Sequence, residues 1–181
     1  ASNSQPFSHI HRPGVAVGGH CIPVYPRFYL AGDGEARLVE TARDVNLQVP
    51  ARVVDSVSND LAGLDGKTVL VLGAAYRGGV KETAYSGVFP LVSAIRDRGG
   101  IPVVSDPLYS DDELLSLRLD PWDGGPVDAV IVQTDHSEYR NLSLDDLPGA
   151  EVVYDGRGIL DPGQFSDGVA LRVIGRGASA S

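Results

Sequence analysis

The sequence has no methionine, a single cysteine and a single tryptophan among 181 residues. A translation product begins with methionine, so the chain reads as a processed product or a fragment. One cysteine excludes an internal disulfide; this suits a reducing compartment, and a cytoplasmic location is expected. No apolar run approaches the roughly eighteen residues of a membrane span. The opening "ASNSQPFSHIHRPG" has no basic segment leading into an apolar one, so no signal peptide is expected. Basic residues are scarce too: fifteen Lys and Arg face 24 Asp and Glu, a net charge of −9 at pH 7. That balance argues against a nucleic-acid or anionic-membrane partner. It leaves room for a small anion, which a few local cations can hold.

Apolar material is plentiful enough for a packed core, at 43% of the chain. Residues 1–32 are rich in Pro, Gly and His and show no period, so they read as a loop region. The stretch "DGEARLVETARDVNLQVPARVVDSVSNDLAG" has an apolar stripe at Leu38, Ala42, Val45, Val49, Val53, Val57 and Leu61, with helical steps of three or four. Asp33 is its expected N-cap and Gly63 its stop, and Pro50 is expected to kink or split it near Asn46 to Val49. From residue 65 to 176 short apolar runs alternate with helical patterns. "TVLVLG", "IPVVSD", "VDAVIVQTD", "EVVYDGRG" and "VALRVIG" read as strands, with a helix starting near Thr83 after the first. This alternation predicts an α/β fold, a Rossmann-like, mostly parallel sheet with helices on both faces. Residues 177–181 read as a frayed tail.

In an open parallel sheet, ligands bind beyond the carboxyl ends of the strands. The informative residues there are Gly73, Arg77 and Lys81 after the first strand and Asp106 after the second. Asp135 and His136 follow the third, and Asp155, Gly156 and Arg157 the fourth. Cations gathered at one edge of an acidic protein, beside a helix N-terminus near Thr83, suit a phosphate or diphosphate. The other reading is that Arg77, Lys81 and Arg157 are solvated surface charges. "GAAYRGG" is neither G-x-G-x-x-G nor a P-loop.

Cys21 lies in "RPGVAVGGHCIPVYPRFYL". Gly18 and Gly19 allow a ligand to approach the backbone closely. Pro23 and Pro26 stiffen the chain beyond the cysteine, so the thiol is expected in a fixed bend. A dyad with His20 is disfavoured, because adjacent residues of an extended chain point to opposite sides. A metal site from His9, His11, His20 and Cys21 fits no zinc spacing, and no metal is expected.

Together these segments resemble the UDP-glucose/GDP-mannose dehydrogenase family of nucleotide-sugar dehydrogenases. "PGVAVGGHCIPVYPRFYL" is similar to its catalytic-cysteine motif, roughly G-x-G-G-x-C-x-P-x-D. "VLVLGAAYRGGVKETAYSG…IRDRGGIPVVSDP" is similar to its C-terminal nucleotide-binding domain, as are "AVIVQTDHSEYRNL" and "YDGRGIL". The resemblance implies a catalytic-cysteine loop (1–32), a central dimerisation helix (33–64) and a nucleotide-sugar-binding domain (65–176). It implies oxidation of the C6 alcohol of a UDP-sugar to a carboxylate by NAD through a thioester on Cys21, in a homodimer built on the central helix. By the same resemblance Gly18 and Gly19 would line the hexose. Arg77 stands where the family has a substrate-contacting lysine, with Lys81 nearby. Arg157 would reach nucleotide or cofactor across a subunit interface, and Arg12 the substrate of the neighbouring subunit. The family's N-terminal NAD-binding domain is not in this sequence, so the chain is expected to be inactive alone. A binding or dimerisation module without catalysis is the alternative reading.

The sequence departs from the family pattern in two places. The family's Asp four residues after the cysteine is Tyr25 here, a substrate-binding candidate that can hydrogen-bond but is a poor base near neutral pH. Its D-x-R-x-S-P becomes Glu82 to Gly87, with Ala84 in place of the arginine.

Overall fold

A computed structural model describes residues 4, 6, 12–165 and 168–176. The expected tail at 177–181, and His9 and His11, lie outside the described residues. Five strands, β1 (Thr68–Leu72), β2 (Ile101–Ser105), β3 (Ala129–Val132), β4 (Val152–Asp155) and β5 (Ala170–Val173), form one sheet. The sheet order is β2-β1-β3-β4-β5, with every pair parallel. The sheet is thus doubly wound, with its topological switch between β1 and β3, and a ligand crevice belongs at the carboxyl ends of those two strands.

Strand alternation divides the core in two. Val69 and Val71 of β1 face Val53 and Val57 of α2 (Arg37–Asp60) and Leu91 and Ile95 of α3 (Val88–Arg96). Leu70 and Leu72 face the other way, onto Tyr139, Leu147 and Phe165. Both faces are covered as expected. The second, however, is covered by three short 3-10 helices, at 137–141, 144–146 and 162–165. Each fully buried Val or Leu contributes about 1.5–3 kcal/mol. β2 leads through α4 (Asp111–Ser116), which Ser110 and Glu113 cap reciprocally, before the chain returns to β3.

Four local expectations differ from the structure. Residues 21–32, read as loop, form helix α1 (Cys21–Gly32). Pro23 falls in the first turn of α1, where a backbone N–H would have no intrahelical acceptor anyway, and its ring is buried. Asp33 follows the end of α1 rather than starting the next helix, and its Oδ1 accepts the N–H of Glu35. α2 is not split at Pro50; burial of that ring offsets the one hydrogen bond the residue cannot donate. Thr83 does not open α3. Residues 73–87 form a long loop, and Ser86 Oγ accepts the N–H of Val88 at 3.3 Å.

The apolar stripe of α2 divides along its length. Val53 and Val57 are in the core, whereas Leu38 is 83% exposed and Val45 and Leu47 are also exposed. Among the described residues no helix is long and apolar enough to cross a membrane.

Candidate active site

The segment before α1 is attached to the sheet edge by close approaches that glycine allows. Val15 is fully buried, and a Cβ on Gly156, just past β4, would collide with its Cγ2. Gly87 meets Ala16 in the same way, and Gly14 meets the side chain of Arg157. Gly18 sits against Tyr76 and the carbonyl of Tyr85, where a Cβ would come within 2.6 and 2.8 Å. Gly19, at φ +90°, donates its N–H to Ala84 O at 2.8 Å. Val17 N–H is taken by Asn46 Oδ1 of α2 at 2.9 Å. These contacts place Cys21, the first residue of α1, at the carboxyl edge of the sheet. Gly18 therefore serves the chain's own packing, which the reading of it as room for a hexose did not anticipate.

A cleft of about 340 Å³ lies there, lined by Arg12, Gly14, Ala16, Val17, Gly18, Gly19, His20, Cys21, Ile22, Tyr76, Arg77 and Arg157. Cys21 is exposed. Arg12 and Arg77 form no ion pair among the described residues. Arg157 is paired with Asp135, Nη2 to Oδ2 at 3.1 Å. Among the described residues no carboxylate lines the cleft, so guanidinium groups dominate its electrostatics in a protein of net charge −9. Planar guanidinium forks match phosphate oxygens.

Two sequence candidates lie elsewhere. Lys81 pairs with Glu113 and lies over the Tyr109 ring, 5.1 Å from its centroid. Tyr25 is one turn along α1 from Cys21, exposed and beside Phe28. Neither lines the cleft. Nor does the N-terminus of α3; the helix start that borders the cleft is that of α1. The extended-chain argument against His20 does not apply either. His20 is in the right-handed helical region (φ −86°, ψ −45°), and it lines the same cleft as Cys21. Its Nε2 lies 3.4 Å from Glu82 Oε2.

A buried polar layer beneath the cleft fixes the loop that carries Arg77. Asp106 Oδ2 accepts the N–H groups of Ala74 and Ala75 at 2.7 and 3.0 Å, and Oδ1 accepts that of Leu108 at 2.8 Å. His136 Nε2 lies 3.1 Å from Asp106 Oδ2, and its Nδ1 accepts the N–H of Gly79. Burial alone would raise the Asp106 carboxyl. The bonds from His136 and from backbone N–H groups outweigh it and hold the carboxyl below its ordinary value. Gln133 donates to Gly73 O, Ala75 O and Ser86 Oγ, and Thr134 Oγ1 donates to Ala75 O. Asp135 Oδ1 accepts Gly78 N–H while its other oxygen holds Arg157. Burial raises the Asp135 carboxyl as well, and Gly78 N–H and Arg157 bring it below the usual range. Asp155 accepts the N–H groups of Arg157, Gly158 and Leu160, which fixes the turn after β4. The positions of Asp106, Asp135 and His136 after their strands were visible in the sequence; their bonding to the loop at 73–87 was not. Glu82 was marked only as the counterpart of the aspartate in D-x-R-x-S-P, and Gly14 carried no signal.

Residues 70–162 match the UDP-glucose/GDP-mannose dehydrogenase family, UDP binding domain. The chain is 30% identical over 187 residues to UDP-N-acetyl-D-mannosamine dehydrogenase of Methanocaldococcus jannaschii, covering 99% of this chain and 43% of that protein. It is 30% identical over 164 residues to NDP-N-acetyl-D-galactosaminuronic acid dehydrogenase of Ralstonia solanacearum, covering 87% of this chain and 38% of the relative. The solved UDP-D-ManNAc dehydrogenase of Pyrococcus horikoshii superposes with a TM-score of 0.77 at 28% identity, covering 98% of this chain and 43% of that one. The chain thus spans about two fifths of the length of these relatives. With its all-parallel doubly wound sheet and the match over β1 to β4, this chain belongs to the UDP-glucose/GDP-mannose dehydrogenase family.

Proposed function

We propose that this chain is the substrate-holding, thiol-bearing portion of an NAD-dependent nucleotide-sugar dehydrogenase. The reaction is oxidation of the C6 alcohol of a UDP-sugar to a carboxylate through a thioester on Cys21. The observation that carries this reading is the joint presence of Cys21 and the guanidinium groups of Arg12, Arg77 and Arg157 in one cleft, with no carboxylate lining it among the described residues. The diphosphate lies against Arg77 and Arg157, and the sugar extends toward Sγ. Addition of the thiol across a C6 aldehyde forms the S–C bond and turns the carbonyl oxygen into a hydroxyl. The N–H groups of Cys21 and Ile22 open α1 without intrahelical acceptors, and no side chain caps that end. They are available to the oxygen as its charge develops.

NAD would supply the hydride acceptor, and the described residues do not fit it as a complete site. The loop after β1 runs through residues 73–87 before α3 begins, so no helix N-terminus closes on the glycine turn as a dinucleotide pyrophosphate requires. Arg157 borders the cleft of Cys21 instead.

Calorimetric titration with UDP tests the reading. Binding is expected, and Arg77→Ala should weaken it about ten- to a hundredfold, the cost of losing hydrogen bonds to a charged group. A wild-type chain that ignores UDP would sink the proposal.

A homodimer through α1 and α2 belongs to the same reading. Phe28, Tyr29, Leu38 and Leu47 are large, apolar and exposed on these helices, more than a solvated surface usually carries. Light scattering is expected to give twice the mass of the 19.1 kDa chain. A monomer at high concentration would remove the dimer from the proposal.

A further inference from the structure

Hydrolysis of a thioester on Cys21 requires a group that takes a proton from water. The cleft lining offers few candidates. Among the described residues it holds no carboxylate, guanidinium groups remain protonated, and a phenol such as that of Tyr76 is a donor rather than a base near neutral pH. The lining side chain with a lone pair to offer is the imidazole of His20. It is open to solvent, at 71% side-chain exposure, and faces Glu82 at 3.4 Å.

Glu82 is itself fixed. Its Oε1 accepts the N–H of Ala84 at 3.0 Å, and Ala84 O accepts the N–H of Gly19, the residue before His20. The carboxylate and the imidazole are therefore held on two segments joined by a backbone hydrogen bond. With Nε2–H turned toward Glu82, Nδ1 is left as the acceptor. The other charged or ionisable groups that border the cleft are Arg12, Arg77, Arg157, Tyr76 and the Cys21 thiol itself.

We propose that His20, oriented by Glu82, is the general base that activates water against a thioester held on Cys21. The inference rests on the thioester reading above. Nδ1 takes one proton from water as the oxygen bonds to the carbonyl carbon. Collapse of the adduct breaks the C–S bond, and the sulfur receives the proton back from the imidazolium, leaving free acid and free thiol. His20 is the catalytic residue in this step and Glu82 a positioning residue.

The test uses the chain as it stands. p-Nitrophenyl acetate acetylates Cys21 and releases p-nitrophenol, and intact mass then tracks loss of the acetyl group across pH. The wild-type rate is expected to rise with pH to a plateau. His20→Ala and His20→Gln should lose the plateau and fall about a hundredfold below it, the lower end of general-base contributions. Added imidazole should restore part of the rate in His20→Ala. Glu82→Gln should displace the pH profile, which a purely structural role would not do. Equal decay of the acetyl thioester in wild type and His20→Ala at every pH overturns the inference. UDP titration beside it separates the two claims. Absent UDP binding with a surviving His20 effect removes the nucleotide-sugar reading alone. Normal UDP binding with no His20 effect removes the base alone.

Discussion

Cys21→Ser, in the longest natural chain that carries this segment, is expected to cut formation of the sugar acid by about a thousandfold or more. UDP affinity should stay within about twofold. The two expectations separate because the cleft separates the chemistry: the sulfur stands at the start of α1, and the cations that would hold a diphosphate come from the loop after β1, the turn after β4 and Arg12. A serine hydroxyl is nearly isosteric with the thiol but a far weaker nucleophile, because almost none of it is ionised near neutral pH. The aldehyde should therefore leave the site unconverted, and mass spectrometry of the products distinguishes it from the acid. The thiol is exposed and absent from both core clusters, so the thermal midpoint should not move. Acid formation by Cys21→Ser at the wild-type rate would refute the assignment.

Removing the Asp106 carboxylate is expected to cost about 3–5 kcal/mol, the range for breaking a buried pair and stranding its partner. Asp106→Ala strands the N–H groups of Ala74, Ala75 and Leu108 together with the imidazole of His136. Asp106→Asn keeps the shape and isolates the charge. The folded carboxyl titrates below its ordinary 3.8. Its contribution is therefore complete above about pH 4 and is lost as the pH falls through and below that value. Urea unfolding from pH 3 to 7 should show a wild-type stability that falls steeply on the acid side. The Asp106→Asn curve should lie lower and decline less, with the remaining slope set by other depressed carboxylates such as Asp135. Parallel curves would show that the charge is not what holds the loop at 73–87.

The strands were legible because they are short, almost wholly apolar and ended by Gly or Asp, as in "TVLVLG" and "IPVVSD". Helix α1 was not legible. Two glycines and two prolines within Gly18 to Pro26 read as a bend, yet Pro23 is tolerated in the first turn, where its buried ring helps hold the helix in place, and the helix continues through Pro26. The start of α3 was misplaced because Thr83 has the right side chain for a cap. The loop at 73–87 instead directs its backbone groups to Asp106, Gln133, Thr134 and Asp135, partners remote in sequence. Lys81 resembled Arg77 as a cation after β1, but Glu113 and Tyr109 draw it away from the cleft.

Composition and short-range periodicity are enough to establish the alternating α/β pattern, the acidic balance and the chemical kinds of side chain present: one thiol, and arginines at the ends of apolar runs. Which of these groups meet is a property of the folded chain. Docking of Val15 over Gly156, and of Gly18 against Tyr76, brings the thiol to the carboxyl edge of a sheet whose strand order no local pattern encodes. Contacts between residues far apart in the chain depend on packing and backbone approach across the whole fold, and period and spacing within one segment carry no record of them.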